Sequence, residues 1–168
     1  VKIVKKDIPE IEFTIVGEEI SGRLHGDIGY KQKLLVLVNE LKIKENVKFV
    51  GWKTGKELWD IYQNSDLFLF ASTYENFGLP LLEAAYFRLP LVSTDVGVAK
   101  DLIDENKGGN IISKLDASEF AENIITLLKN DLMYEEASKF VLNESKNFLI
   151  KSIAKKYEEI YTGCIKNE

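Results

Sequence analysis

The sequence predicts a parallel, doubly wound α/β sheet flanked by helices. Short β-branched and aromatic runs alternate with amphipathic stretches of helical length, which is the pattern of strand-helix-strand units with right-handed crossovers. One of those runs, "DLFLFA" at 66–71, is apolar without interruption, as expected of a strand covered on both faces. Glycine closes two other runs, at Gly17 and Gly51, where the chain must turn.

Taken in order, "IEFTIVG" (11–17) reads as the first strand, followed by a polar, glycine-bearing loop, "EEISGRLHGDIG". Leu34, Leu35, Leu37, Val38 and Leu41 recur at three-and-four spacing and predict a helix over 30–42 packed on the sheet. "NVKFVG" (46–51) is the next strand. Thr54 and Glu57 then have the spacing of a capping box at the start of a helix over about 55–64. After the 66–71 strand comes a loop, then a helix over about 80–87 with Pro80 in its favoured first turn, and a strand at 89–94. A helical turn near 100–103, a strand near 110–113, and helices near 118–129, 132–145 and 150–161 complete the chain.

At 168 residues the chain has the length of one domain with a sizeable core, 1–168. Its first residues read as the continuation of a longer chain. Apolar residues make up 45% and charged residues 29%, the balance of a folded globular protein. A formal net charge of -5 with scattered basic residues shows no footprint for a nucleic-acid backbone, so no nucleic-acid partner is expected. One cysteine, Cys164, and one histidine, His25, can form neither an internal disulfide nor a Cys/His metal site, so a reducing, cytoplasmic setting is expected. No apolar run reaches the roughly 18 to 20 residues that span a bilayer.

The chemistry concentrates in "STYENFGLPLLEAAYFRLPLVSTD" (72–95), where Glu75 and Glu83 bracket a Phe-Gly-Leu-Pro turn. Glu75 and Asn76 follow the carboxyl end of a strand, where sheets of this class bind ligands. Gly78 lets the backbone approach a bound group, and the amides of 78–82 form a helix N-terminus able to hold a phosphate or diphosphate. Carboxylates accept hydrogen bonds from hydroxyl pairs such as those of a ribose or hexose. Two acids around an anion cradle therefore describe a nucleotide-sugar. The residues leave a second reading open: an acid in a helix's first turn stabilises its dipole by a few tenths of a kcal/mol to about 1 kcal/mol, and Glu75 is then simply solvated.

Glu75, "NFGLPLL" and Glu83 resemble the E-x7-E signature of retaining GT-B glycosyltransferases, particularly the group 1 (GT4) family. The likeness extends through residues 47–97, with Tyr62 on a helix, Asp66 opening a strand, and "PLVSTDVG" closing the segment. The resemblance implies a donor-binding C-terminal domain that transfers a hexose, with retention, from a UDP-, GDP- or ADP-linked sugar to a glycan or lipid-linked acceptor. It implies that Glu83 contacts the donor ribose and Glu75, the catalytic candidate, the donor hexose. Amides near Phe77, Gly78 and Leu79 hold the diphosphate, Asn76 is a further donor-binding residue, and Gly51 and Trp52 line the base pocket of what would be the Rossmann-like half of a GT-B fold. It implies no metal and no cofactor beyond the donor substrate. The acceptor site belongs to an N-terminal domain absent from this chain, against which the last helix, about 150–163, normally packs. Without it, Ile153, Tyr157, Ile160 and Tyr161 lack a partner and favour self-association, and the fragment by itself is expected to be inactive. In the full-length protein a peripheral position at the inner membrane face is expected.

The departures are specific. The family's "G-R-x4-K-G" motif does not precede "IEFTIVG", and Gly22 and Arg23 follow that strand instead. "DVGVAKD" carries Val98 and Asp101 where relatives have glycine and glutamate. His25, Lys53 and Lys56 are candidates for anion contacts, but a solvated role of no special function suits each of them better; Trp59 reads as packing. Neither P-loop nor G-x-G-x-x-G spacing occurs. Two other functions fit less of the sequence: a non-catalytic nucleotide-binding or interaction module, and a sugar-nucleotide epimerase.

Overall fold

A computed structural model describes residues 1–19, 29–104, 107–113 and 115–165. His25, Gly22 and Arg23 lie outside them. The described chain forms two compact units, Val1–Ile61 and Tyr62–Glu168.

In the first unit, strand β1 (Phe13–Val16) pairs in parallel with β2 (Val47–Gly51), and the register shifts between Ile15 and Val16. Helix α1 (Tyr30–Glu40) connects them. The Glu19 carboxylate accepts from the amides of Gly29 and Tyr30, both at 2.6 Å, satisfying donors that a helix start leaves over. Buried Asn46 donates through Nδ2 to the carbonyls of Pro9 and Ile11, tying the approach of β1 to the start of β2. The face predicted for α1 is only half covered: Leu34, Leu35 and Val38 are half-buried, and Leu37 is exposed. Helix α2 (Gly55–Gln63) follows, residues 55–61 in this unit and Tyr62 and Gln63 in the second, with Glu57 accepting from Lys53 Nζ at 3.3 Å. Trp59 is 53% exposed, so the expectation that it packs is corrected: it stands on the outer side of an amphipathic helix whose buried residue is Tyr62.

In the second unit, β3 (Phe68–Phe70), β4 (Leu91–Thr94) and β5 (Gly109–Ile112) form a parallel three-stranded sheet in sequence order. The parallel α/β class is as expected; the ladder falls into one sheet per unit. Two-face burial belongs to β4, all four residues of which are buried. The edge strand β3, for which the apolar run predicted it, is half-buried. Hydrophobicity marked β3 rather than β4, but in the described sheet β3 is an edge strand with a neighbour on only one side.

Helix α3 (Leu79–Tyr86) follows β3 and buries Leu81, Ala84 and Ala85 completely. After β4 comes the short α4 (Ala99–Leu102), and after β5 come α5 (Ala117–Lys129), α6 (Asp131–Ser145) and α7 (Ile150–Ile165). Asp116 caps α5 through the amides of Ser118 and Glu119, and Asn130 caps α6 through that of Met133. Val92, Ile112, Phe120, Leu127 and Ala137 form the core between the sheet and α5 and α6. Ser138 on α6 donates to the Arg88 carbonyl at 2.8 Å, tying α6 to the turn after α3. Along α7, Ile150, Ile153, Tyr157, Ile160 and Tyr161 remain exposed. No described helix is long and apolar enough to cross a membrane.

Candidate functional site

Residues 71–78 run from the carboxyl end of β3 to the start of α3, and a chain of hydrogen bonds fixes them. Thr94 Oγ1, at the end of β4, donates to the Ser72 carbonyl at 2.6 Å. Ser72 Oγ donates to the Tyr74 carbonyl at 2.8 Å, and Tyr74 Oη donates to Asn76 Oδ1 at 2.7 Å. Glu75 Oε1 accepts from the Asn76 amide at 3.2 Å. The loop is thus positioned from the buried centre of the sheet outward.

Gly78 caps α3 in the left-handed region, at φ +82° and ψ +51°, a conformation that costs other residues about 1–2 kcal/mol. A Cβ there would also meet Leu81 Cδ1 at 3.1 Å and Glu75 Cγ at 3.5 Å. The Gly78 carbonyl accepts from the amides of Leu81 and Leu82, and Pro80 has no N–H. Of the amides expected to form the cradle, those of Leu81 and Leu82 are therefore internally satisfied. Among the described residues no group accepts from the amides of Phe77, Gly78 or Leu79, so these three are the donors left at the helix start.

A second loop holds this cradle from behind. The Val98 amide donates to the Phe77 carbonyl at 2.8 Å, and a Cβ on Gly97 would stand 2.4 Å from that oxygen. In a trans peptide C=O and N–H point in opposite directions. Gripping the Phe77 carbonyl therefore aims the Gly78 N–H away from the 97–98 loop. Val98 makes this contact through its backbone while its side chain is buried, so replacement of the family's glycine leaves it intact. Asp101 is exposed on α4.

Glu83 is the fifth residue of α3, not a first-turn residue, because the helix begins at Leu79, one residue earlier than predicted. Dipole stabilisation falls off within the first turn, which removes that account of Glu83. Instead it accepts a hydrogen bond from Tyr62 Oη to Oε2 at 3.1 Å. Tyr62 is 6% exposed, and burial, followed by the neighbouring Glu83 charge, pushes its hydroxyl well above its ordinary pKa near 10. Glu75 and Glu83 are both half-buried; Asn76, Phe77 and Leu79 are exposed.

Glu75, Asn76, Phe77, Gly78, Leu79 and Glu83 therefore share one strand-loop-helix corner. Gly51 and Trp52 belong to the first unit: Gly51 takes φ +73°, its carbonyl accepts from the Gly17 amide, and Trp52 is 67% exposed at the end of β2. Lys53 is engaged by Glu57 in the same unit. Sequence reasoning missed the polar use of Tyr62 and the grip of Gly97 and Val98. Tyr62 had the look of one more apolar position on α2, and no spacing rule links it to a carboxylate 21 residues away. Among the described residues no cluster of three or more His, Cys, Asp or Glu is placed to hold a metal ion.

The chain is 30% identical over 159 residues to the UDP-N-acetylglucosamine--peptide N-acetylglucosaminyltransferase GtfA subunit of Streptococcus parasanguinis, covering 94% of this chain and 29% of that protein. Among solved structures, pneumococcal O-GlcNAc transferase GtfA in complex with UDP and GlcNAc superposes with a TM-score of 0.76 at 25% identity, over 98% of this chain and 32% of the other. The C-terminal domain of a glycosyl transferase group 1 family protein (LpcC) from Francisella tularensis shares the fold, with a TM-score of 0.77 at 20% identity, over 87% and 73% of the two chains. The chain spans about a third of the length of the curated relatives it matches. Residues 1–146 match the family described as glycosyl transferases group 1, and the chain belongs to that family.

Proposed function

We propose that residues 1–168 form the donor-binding domain of a retaining, GT4-type glycosyltransferase that takes a hexose from a nucleoside-diphosphate sugar. The observation that carries this reading is the corner at 75–83: two half-buried carboxylates on either side of three amides with no acceptor among the described residues. The amides of Phe77, Gly78 and Leu79 would take the diphosphate, Glu83 the ribose hydroxyls and Glu75 the hexose. Transfer moves the anomeric carbon from a phosphate oxygen to an acceptor oxygen, so negative charge grows on the leaving diphosphate. Preorganised N–H donors at that point lower the barrier. A glycan or lipid-linked acceptor, a second domain that binds it, and a cytoplasmic setting at the membrane face belong to the same proposal. On this reading the chain by itself binds donor without turning it over.

Because the pneumococcal relative is complexed with UDP, uridine nucleotides are the first donors to test. Calorimetric titration with UDP, GDP, ADP and their sugars should give saturable binding for one base, weakened in Glu83→Ala. In the intact protein, Glu75→Ala and Glu83→Ala should each lower transfer about 10- to 100-fold, as expected when one hydrogen bond to a charged group is removed. Unchanged transfer in both variants would sink the assignment.

A further inference from the structure

Tyr62 lies near the end of α2, and its ring is held on two sides. It stacks on Phe87 with centroids 5.4 Å apart and planes at 16°, and it leans against Phe68 at 5.9 Å and 56°. The phenol cannot swing away without breaking both contacts, so its hydroxyl is delivered to Glu83 Oε2 at a fixed place, 3.1 Å away. An ionised carboxylate is an acceptor only, with about four lone-pair positions on two oxygens. One of these is occupied by the Tyr62 hydroxyl, a neutral donor that burial and the Glu83 charge hold against ionisation. That bond anchors Oε2, and Oε1, which has no partner among the described residues, is left to accept from a ligand.

We propose that Tyr62 is a positioning residue that presents Glu83 Oε1 to the vicinal hydroxyls of the donor ribose, so that the protein discriminates ribonucleotides from nucleotides lacking those hydroxyls. The inference rests on the donor-binding reading above and goes further, in assigning the selectivity to a Tyr-Glu pair rather than to Glu83 by itself. A purely structural tyrosine would affect all nucleotides alike. A positioning tyrosine changes the ratio between them.

The test compares UDP with 2′,3′-dideoxy-UDP by calorimetry in the intact protein, for wild type, Tyr62→Phe and Glu83→Gln. Wild type should prefer UDP by about 10-fold or more, the size of one charged hydrogen bond. Tyr62→Phe keeps the ring and both stacking contacts, and should narrow that preference about 3- to 10-fold while binding the dideoxy nucleotide as wild type does. Glu83→Gln, which keeps the shape, should narrow it as well; should Tyr62→Phe fold poorly, Tyr62→His, which keeps a ring at the stacking position but moves the donor, should narrow it in the same way, and an unchanged preference there overturns the inference. A preference unchanged in Tyr62→Phe overturns the inference and leaves the donor reading standing, whereas a preference unchanged in Glu83→Gln removes the ribose role of Glu83 and the inference with it. Equal wild-type affinity for the two nucleotides also overturns it. Absence of any nucleotide binding by wild type would remove the donor reading and this inference together.

Discussion

At the residue scale, a buried phenol beside a carboxylate has a consequence for pH. Tyr62 holds its proton more tightly in the folded protein than at its ordinary value near 10, because burial and the Glu83 charge both oppose the phenolate. Above pH about 10 the unfolded chain loses that proton while the folded chain keeps it, so folding stability is complete below that pH and falls as pH rises beyond it. Tyr134, whose hydroxyl is raised in the same direction mainly by burial, contributes a second part of the loss. Melting temperatures recorded between pH 9 and 11.5 should therefore decline, and the decline should be shallower in Tyr62→Phe without disappearing. A slope identical to wild type would contradict the buried hydrogen bond. Glycines provide the other residue-level prediction. Gly78→Ala places a Cβ 3.1 Å from the end of the Leu81 side chain, which can give way, whereas Gly97→Ala drives one to 2.4 Å from backbone. Both glycines have positive φ, worth about 1–2 kcal/mol each, so thermal melts should show Gly97→Ala as the more destabilised.

At the scale of elements, most of the fold was legible because strands and helices have different periods. Every predicted strand and helix exists, and each α-helix begins or ends within a few residues of its prediction, while the short 3-10 turn at Val4–Lys6 was not foreseen. The misses have physical reasons. Helix α3 starts at Leu79 because a left-handed Gly78 already turns the chain, and that single residue moves Glu83 from the first turn to the second. Apolar runs could not separate a central strand from an edge strand: β3 (FLF) is wholly apolar yet half-buried at the sheet edge, whereas β4 (LVST) is buried throughout, Ser93 and Thr94 included, between two neighbours. The signature residues Glu75, Gly78 and Glu83 were readable as one segment because they are close in sequence. The supports were not, because Tyr62 and Gly97 reach that segment only through the fold.

For the whole molecule, burial is unevenly shared. Among the described residues, the first unit buries the apolar side chains of Val4 and Ile43, whereas the second buries β4 entirely together with Leu81, Leu102, Ile112 and Val141. Local opening costs least where few apolar contacts must break. Amide hydrogen exchange should accordingly be slowest in β4 and β5 and markedly faster in β1 and β2; equal protection in the two sheets would show that the units open together. The candidate corner at 75–83 belongs to the better buried unit, which suits a site that must hold its donors in place.

The contact between Gly97 and the Phe77 carbonyl has a consequence for how such a protein can change. With no room for even a methyl group between them, the 97–98 loop and the 77–78 peptide are a single mechanical part, although they follow different strands. Changes confined to one loop will misfit the other. Variants that reshape this corner should therefore succeed as matched pairs, and the two loops are expected to drift together through sequence space rather than one at a time.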